Sequence, residues 1–166
     1  MALPDDLLSQ ARLLATKEPK RPKQASLRKA ISNAYYALFH HLVGQSCRFL
    51  VSGASTDRKA LRGQLARSFD HGAMKRASQA FAGGATSPWV TVGGAPPGGL
   101  VRVAEAFVVL QRERHAADYD VSRSFTRDET LALIAQAEDA LEDWDDARGT
   151  PAANAYLLAL LVKARR

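Results

Sequence analysis

The sequence predicts an all-α protein. Apolar residues recur every three or four positions along most of the chain, no convincing strand pattern is present, and capping residues precede several of the apolar runs. The chain has 166 residues, the usual length of one domain, and its 46% hydrophobic and 24% charged residues are typical of a globular protein. We therefore expect a single domain spanning residues 1–166, a bundle of five to six helices around a central antiparallel pair.

A short first helix and a long central helix are expected on either side of a basic connection. The first apolar run ends at Ala15, and the segment 17–23 contains Pro19 and Pro22, which cannot continue a helix. This segment is therefore predicted to be a basic surface loop. Helical spacing resumes at Gln24, and the apolar positions of the central helix are Leu27, Ile31, Ala34, Leu38 and Leu42.

The next segment is predicted to be one long helix followed by a loop. Asp57 can cap a third helix that reaches Phe81, because a single apolar stripe continues through the whole stretch. Residues 83–99 hold six of the eleven glycines and three of the seven prolines, so we predict a loop there, either disordered or acting as a flap. A fourth helix is expected to begin at Leu100 and to end near the polar run 112–120.

Two further helices are predicted near the end of the sequence. Thr126 and Glu129 have the spacing of a reciprocal capping box, which marks the start of a fifth helix. The eight carboxylates of its outer face, between residues 128 and 146, are interpreted as a solvated acidic surface. Gly149 ends this helix, and an extra helix is expected in residues 150–166.

The basic residues are concentrated in the first half of the chain. Residues 1–76 contain 14 Lys and Arg against 5 Asp and Glu, whereas residues 77–166 contain 9 against 12. RNA, DNA, an acidic partner protein or a role in solubility would each fit this asymmetry. If a polyanion binds, the expected contacts are Lys20, Arg21, Lys23, Arg58, Lys59, Arg62 and Arg67.

Other compositional features suggest the compartment and argue against metals. The beginning of the sequence does not resemble a secretion signal, and no apolar run is long enough to span a membrane, so we expect a cytoplasmic protein without membrane contact. Cys47 is the only cysteine and the four histidines are scattered. We therefore expect no disulfide within the chain, no metal site and no cofactor.

Two polar clusters could carry chemistry. On the central helix, Tyr36 and His40 are four residues apart and share a face, a pattern more typical of core packing than of catalysis. The second cluster lies near the end of the fourth helix, where helical spacing places Arg114 beside Asp118. His115 and Tyr119 are predicted to lie on a neighbouring strip of the same helix.

The second cluster has two interpretations. It could be a salt-bridged helix end, in which exposed pairs add little stability. It could instead be a phosphate site, in which the Arg114 guanidinium holds an oxyanion while His115 or Tyr119 moves a proton.

Three runs together resemble the HEPN superfamily. They are Arg28–His40 on the central helix, Phe69–Gly72 in the third helix and Arg114–Asp120 in the fourth, in that order. The resemblance extends from about Leu7 to Trp144 and is to the small stand-alone bacterial members. It implies a HEPN-like helical bundle, commonly a symmetric homodimer, often encoded beside a nucleotidyltransferase or another toxin–antitoxin partner. Many members of this family are metal-independent ribonucleases.

The family's ribonuclease motif is an arginine followed, after four to six residues, by a histidine. Arg114 matches the arginine, but Tyr119 stands where the histidine is first expected, and no histidine follows within the spacing. The resemblance therefore favours a protein that binds RNA, a nucleotide or a partner protein without cutting. The alternative is a ribonuclease toxin that uses Arg114 with Tyr119, His115 or His71.

Overall fold

A computed structural model describes residues 2–84 and 86–162. The regular structure in these residues is helical throughout, which confirms the all-α prediction, but it comprises eight α-helices where five to six were expected. None of these helices is both long enough and apolar enough to cross a bilayer. The helices are α1 (Leu3–Thr16), α2 (Gln24–Leu50), α3 (Thr56–Ala66), α4 (His71–Gln79), α5 (Pro88–Gly93), α6 (Gly98–Tyr119), α7 (Arg127–Ala147) and α8 (Pro151–Leu161).

The described residues form two compact units, and neither unit is continuous in sequence. The first unit contains residues 2–40 and 106–142, which are α1, the start of α2, the end of α6 and most of α7. The second unit contains the remaining described residues, including α3, α4, α5 and α8.

An antiparallel helix pair organises the first unit. The start of α2 lies beside the end of α6: the hydroxyl of Ser32 donates to the Asp118 carboxylate at 2.6 Å, and Tyr36, one turn further along α2, contacts Arg114, one turn earlier in α6. At the end of the pair, the Arg28 guanidinium donates to backbone carbonyls in the last turn of α6 and just after it. Carbonyls at the end of a helix accept no hydrogen bond from an amide of the same helix, so the Arg28 guanidinium of α2 supplies the missing donors.

The basic connection between α1 and α2 is tied to the start of α7. The Arg127 guanidinium donates to the carbonyl oxygens of Ala15 and Pro19, each at 3.1 Å, and to that of Glu18. The Glu18 carboxylate in turn accepts a hydrogen bond from the Ser26 hydroxyl at 2.9 Å. The loop predicted here is present, and it is held at both ends.

The predicted caps of the last two helices are confirmed. At the start of α7 the Thr126 amide donates to the Glu129 carboxylate at 2.8 Å, and the Glu129 amide donates back to the Thr126 hydroxyl at 3.1 Å. The Thr150 hydroxyl caps α8, with Pro151 as its first residue. Residues 163–166 of the predicted terminal helix lie outside the described residues.

The prediction of one long third helix was wrong. The stretch contains α3 and α4, separated at residues 67–70, and the cap of α3 is Ser55 rather than Asp57. The break arises because the Asp70 carboxylate accepts from the Ala73 amide at 2.8 Å and starts a new helix. The run Phe69–Gly72 therefore spans the start of α4: its first two residues lie in the break and its last two in the first turn of the helix.

The predicted loop at 83–99 contains a helix of its own. Ser87 caps α5 by accepting from the Trp89 amide at 3.3 Å, and Pro88 occupies the first helical position, where proline is favoured. Gly93 lets α5 pack directly on α8, since an added Cβ there would lie 2.7 Å from the Cβ of Ala155. Gly93 therefore serves close packing, and Ala85 lies outside the described residues.

The core of the second unit centres on Tyr156 of α8. Its ring lies 5.0 Å from the Phe81 ring and 6.5 Å from the Trp144 ring, measured between centroids. Its hydroxyl shares a hydrogen bond of 2.8 Å with the Ser78 hydroxyl, which satisfies both buried polar groups. Burial raises the pKa of Tyr156 far above its usual value, so its hydroxyl stays protonated.

Candidate functional site

Arg114 is the centre of the best-formed polar cluster in the first unit. Its Nη2 donates to the Tyr36 hydroxyl at 2.6 Å, and its Nε lies 2.8 Å from the Asp118 carboxylate. The guanidinium carbon also lies over the rings of Tyr35 and Tyr36, 5.7 and 5.3 Å from their centroids. Only 16% of the Arg114 side chain is exposed. The predicted pairing of Arg114 with Asp118 is thus confirmed, within a larger set of contacts.

The surroundings of Arg114 favour a fixed positive charge. Burial alone would lower the pKa of Arg114, but the hydrogen bond to Tyr36 and the negative charge of Asp118 outweigh it, so the pKa is raised. The Asp118 carboxylate is itself oriented by the Ser32 hydroxyl. The cluster therefore holds a permanent cation in one orientation.

His40 lies beside this cluster on α2. Its ring stacks against the Tyr36 ring, with centroids 6.1 Å apart and an angle of 28° between the planes, which confirms their predicted shared face. Partial burial lowers the pKa of His40 because it disfavours the charged imidazolium. A neutral imidazole next to the hydroxyl partner of Arg114 can accept a proton at neutral pH.

His115 and Tyr119 form a separate pair on the exposed side of α6. Their ring centroids are 4.9 Å apart, as the four-residue spacing predicts. Tyr119 is 66% exposed. Because each helical residue turns the chain by about 100°, Tyr119 leaves the helix about 140° away from Arg114. Within one chain, Arg114 and Tyr119 therefore occupy different faces.

His71 belongs to the second unit. It is the first residue of α4, immediately after the capping residue Asp70. The other candidates for catalysis, Arg114, His115, Tyr119 and His40, belong to the first unit.

The predicted polyanion contacts are divided between the two units. In the first unit, Lys20, Arg21 and Lys23 are exposed on the anchored connection, and neither Lys20 nor Arg21 forms an ion pair with any described residue. The second set, on and after α3, consists of Arg58, Lys59, Arg62 and Arg67.

Arg62 differs from the other predicted contacts, because it already serves the fold. Its Nη1 donates to the carbonyl oxygens of Val51 at 2.8 Å and Gly53 at 2.7 Å, and so closes the end of α2. Arg58, Lys59 and Arg67 remain exposed.

Three residues that shape this region were not among the predicted site residues. Ser32 orients Asp118, Tyr35 lies beneath Arg114, and Arg127 anchors the basic connection. Ser32 could have been noticed, since a buried polar residue that interrupts the apolar stripe of a central helix needs a hydrogen-bond partner. The partners of Arg127 lie more than a hundred residues earlier and leave no local signal.

Comparisons with protein-family models, with curated proteins and with solved structures found no significant match for this chain. Among the described residues, no group of three His, Cys, Asp or Glu side chains is arranged to hold a metal ion.

Proposed function

We propose that the chain is a cytoplasmic HEPN-like protein that binds RNA and cleaves it slowly or not at all, as one component of a toxin–antitoxin-like system. The observation that carries this proposal is a contrast between two sets of cations. Arg114, the residue that matches the family motif, is engaged by Tyr36 and Asp118, whereas Lys20 and Arg21 are exposed and form no ion pair with a described residue. A nucleotide or a partner protein are the other ligands that the resemblance implies.

The residue at the motif's histidine position supports binding rather than cutting. Attack by a 2′-hydroxyl on its phosphate needs stabilisation of the developing charge and a base that accepts the proton. Tyr119 places a phenol hydroxyl where the motif has an imidazole, and the imidazole of histidine is the side chain that most often serves as a general base. It also leaves α6 about 140° away from Arg114, so the two side chains do not share a face of the helix within a single chain.

The proposal includes a homodimer, with the end of α6 and part of α2 in the interface, and a nucleotidyltransferase or antitoxin as partner protein. The exposed apolar side chains at the end of α6 and just after it support this interface: Tyr119 and Val121 are 66% and 91% exposed. Light scattering at micromolar concentration tests the dimer. A monomer would refute this part of the proposal.

RNA binding is tested by fluorescence anisotropy with a labelled short single-stranded RNA. Three phosphate contacts from Lys20, Arg21 and Lys23 predict an affinity that falls about 20-fold between 50 and 200 mM salt. Lys20→Gln should weaken binding, and Arg148→Gln, which removes an exposed cation from the second unit, is the matched control. Binding that is absent at low salt, or that does not change with salt, would refute the proposal.

The second candidate function is a metal-independent ribonuclease, and the stacking of His40 on Tyr36 favours it. Incubation of a labelled RNA with the protein and a chelator should show no cleavage or very slow cleavage. Fast cleavage that is lost in both Arg114→Ala and Tyr119→Phe would establish the enzyme with Tyr119 in the role of the histidine. Fast cleavage that is lost in Arg114→Ala and His40→Gln but kept in Tyr119→Phe would assign the proton transfer to His40. Fast cleavage that survives Arg114→Ala would show that this cluster is not the site.

A further inference from the structure

The connection at residues 17–23 is a built feature of the first unit. Three nitrogens of the Arg127 guanidinium each donate to one backbone carbonyl: Nε to Ala15, Nη1 to Pro19 and Nη2 to Glu18. A planar guanidinium presents its donors in a fixed fork, so three simultaneous bonds define both the position and the direction of the chain that accepts them. The end of α1 and the start of the connection are therefore held against the first residue of α7.

Glu18 ties the other end of the connection to α2. One of its carboxylate oxygens accepts from the Ser26 hydroxyl at 2.9 Å, and the other accepts from the Lys23 amide at 3.4 Å. The acidic group of the connection is thus engaged at the start of α2. Pro19 and Pro22 further restrict the backbone. The exposed cations of this segment, Lys20, Arg21 and Lys23, consequently sit on a backbone that is held in one conformation.

We infer that Arg127 is a positioning residue for RNA: it binds no phosphate itself, but it holds the connection so that Lys20, Arg21 and Lys23 are presented together to a phosphate backbone. The inference rests on the proposed RNA-binding function. Its physical basis is preorganisation, because a loop that is ordered before binding loses less conformational entropy when the ligand arrives. Arg127 acts through its hydrogen bonds to the backbone and not through its own charge.

The test compares Arg127→Gln with Arg148→Gln in the full chain. Both substitutions remove one positive charge, but Arg148 is an exposed residue whose ion pair is with Asp145, three residues away, at 3.7 Å. Anisotropy with a labelled single-stranded RNA is measured over a series of salt concentrations. We expect Arg127→Gln to weaken binding about tenfold, because the connection and its long side chains would then have to become ordered when RNA binds. Arg148→Gln should have little effect.

The salt dependence separates positioning from direct contact. If Arg127 only positions the connection, the slope of log affinity against log salt concentration stays the same in Arg127→Gln. If Arg127 binds phosphate, the slope falls in magnitude by about 0.7, the value for one lost contact to a single strand. Lys20→Gln provides the comparison, since it removes a contacting residue and should show that fall. A reduced slope in Arg127→Gln, or an unchanged affinity, would overturn the inference.

Limited proteolysis measures the order of the connection in the absence of RNA. Trypsin cleaves after Lys20 and Lys23 only when the backbone leaves its held conformation, so Arg127→Gln should be cut faster there than Arg148→Gln. Equal rates would overturn the inference. If Arg127→Gln does not fold, Arg127→Lys retains the charge, lacks the fork and is expected to show the same changes in smaller measure. Wild-type protein that fails to bind RNA would refute the proposed function, whereas wild-type binding with unchanged affinity in Arg127→Gln would refute only the role of Arg127.

Discussion

Replacing Arg28 with methionine removes a guanidinium that closes the end of α6 while keeping an unbranched apolar stem. In the wild type, Nη1 of Arg28 donates to the Ala117 carbonyl at 2.8 Å, and Nη2 donates to the Asp120 carbonyl at 2.9 Å and to the Arg123 carbonyl. The Arg28 guanidinium carbon also lies 5.5 Å from the centre of the Phe125 ring. In the variant these carbonyls lose their charged donor.

The expected cost is about 3 kcal/mol. A hydrogen bond to a charged group contributes roughly 1.5 to 3 kcal/mol when its partner is left buried without a replacement. Ala117 is buried, whereas Asp120 is exposed, so water can replace the donor at Asp120 but not readily at Ala117. Counting the hydrogen bond to Ala117 in full and those to Asp120 and Arg123 in part gives about 3 kcal/mol. For a chain of this size, that corresponds to a fall in Tm of about 6 to 12 °C.

Thermal and denaturant unfolding, followed by circular dichroism, measure this cost. Lys29→Met is the matched control, because Lys29 is the exposed neighbour of Arg28 and should change stability by less than about 0.5 kcal/mol. Arg28→Lys keeps the charge but lacks the fork, and we expect it to lie between the wild type and Arg28→Met. An Arg28→Met variant as stable as the Lys29→Met variant would refute the structural role assigned to Arg28.

Three further predictions concern packing and protonation. Gly93→Ala should destabilise the protein by about 1 to 3 kcal/mol in denaturant unfolding, because its Cβ would lie 2.7 Å from a carbon of α8, whereas Gly63→Ala, with open space around it, should stabilise by up to about 1 kcal/mol. The hydrogen bonds at the start of α7 lower the pKa of Glu129 below its usual 4.5. The stabilisation that the Glu129 carboxylate provides is therefore present above that pH and is lost on acidification. Between pH 5 and pH 3, Tm of Glu129→Gln should fall less than Tm of the wild type. In an NMR titration, the midpoint of His40 should lie below 6.5, because burial disfavours its charged form.

Features set by neighbours in sequence were predictable, and features that depend on distant partners were not. The pairing of Arg114 with Asp118, the ring contact of His115 with Tyr119 and the capping box of α7 each involve residues three or four positions apart, and all three are present. The contact of Arg114 with Tyr36 was not predictable from spacing, because it depends on how α6 packs on α2.

Periodicity misled the prediction where two signals competed. The apolar stripe continues from α3 into α4 without a change of phase, so it indicated one helix. The local capping preference of Asp70 was the opposing signal, and in the structure the cap prevails. In residues 83–99 the many glycines and prolines indicated a loop, but the sequence Ser87-Pro88 is also a helix start, and α5 forms there because Gly93 allows it to pack on α8.

The interleaving of the two units has a consequence for how the chain folds as it is made. Synthesis runs from the N-terminus, so the start of α2 leaves the ribosome before the residues of α6 and α7 that complete its unit exist. At 5 to 20 residues per second, the intervening segment 41–105 takes roughly 3 to 13 s to translate. Throughout that interval the start of α2 lacks the part of its native cover that α6 and α7 supply. The nascent chain is therefore most exposed to aggregation, and most dependent on chaperones, before its last third has emerged.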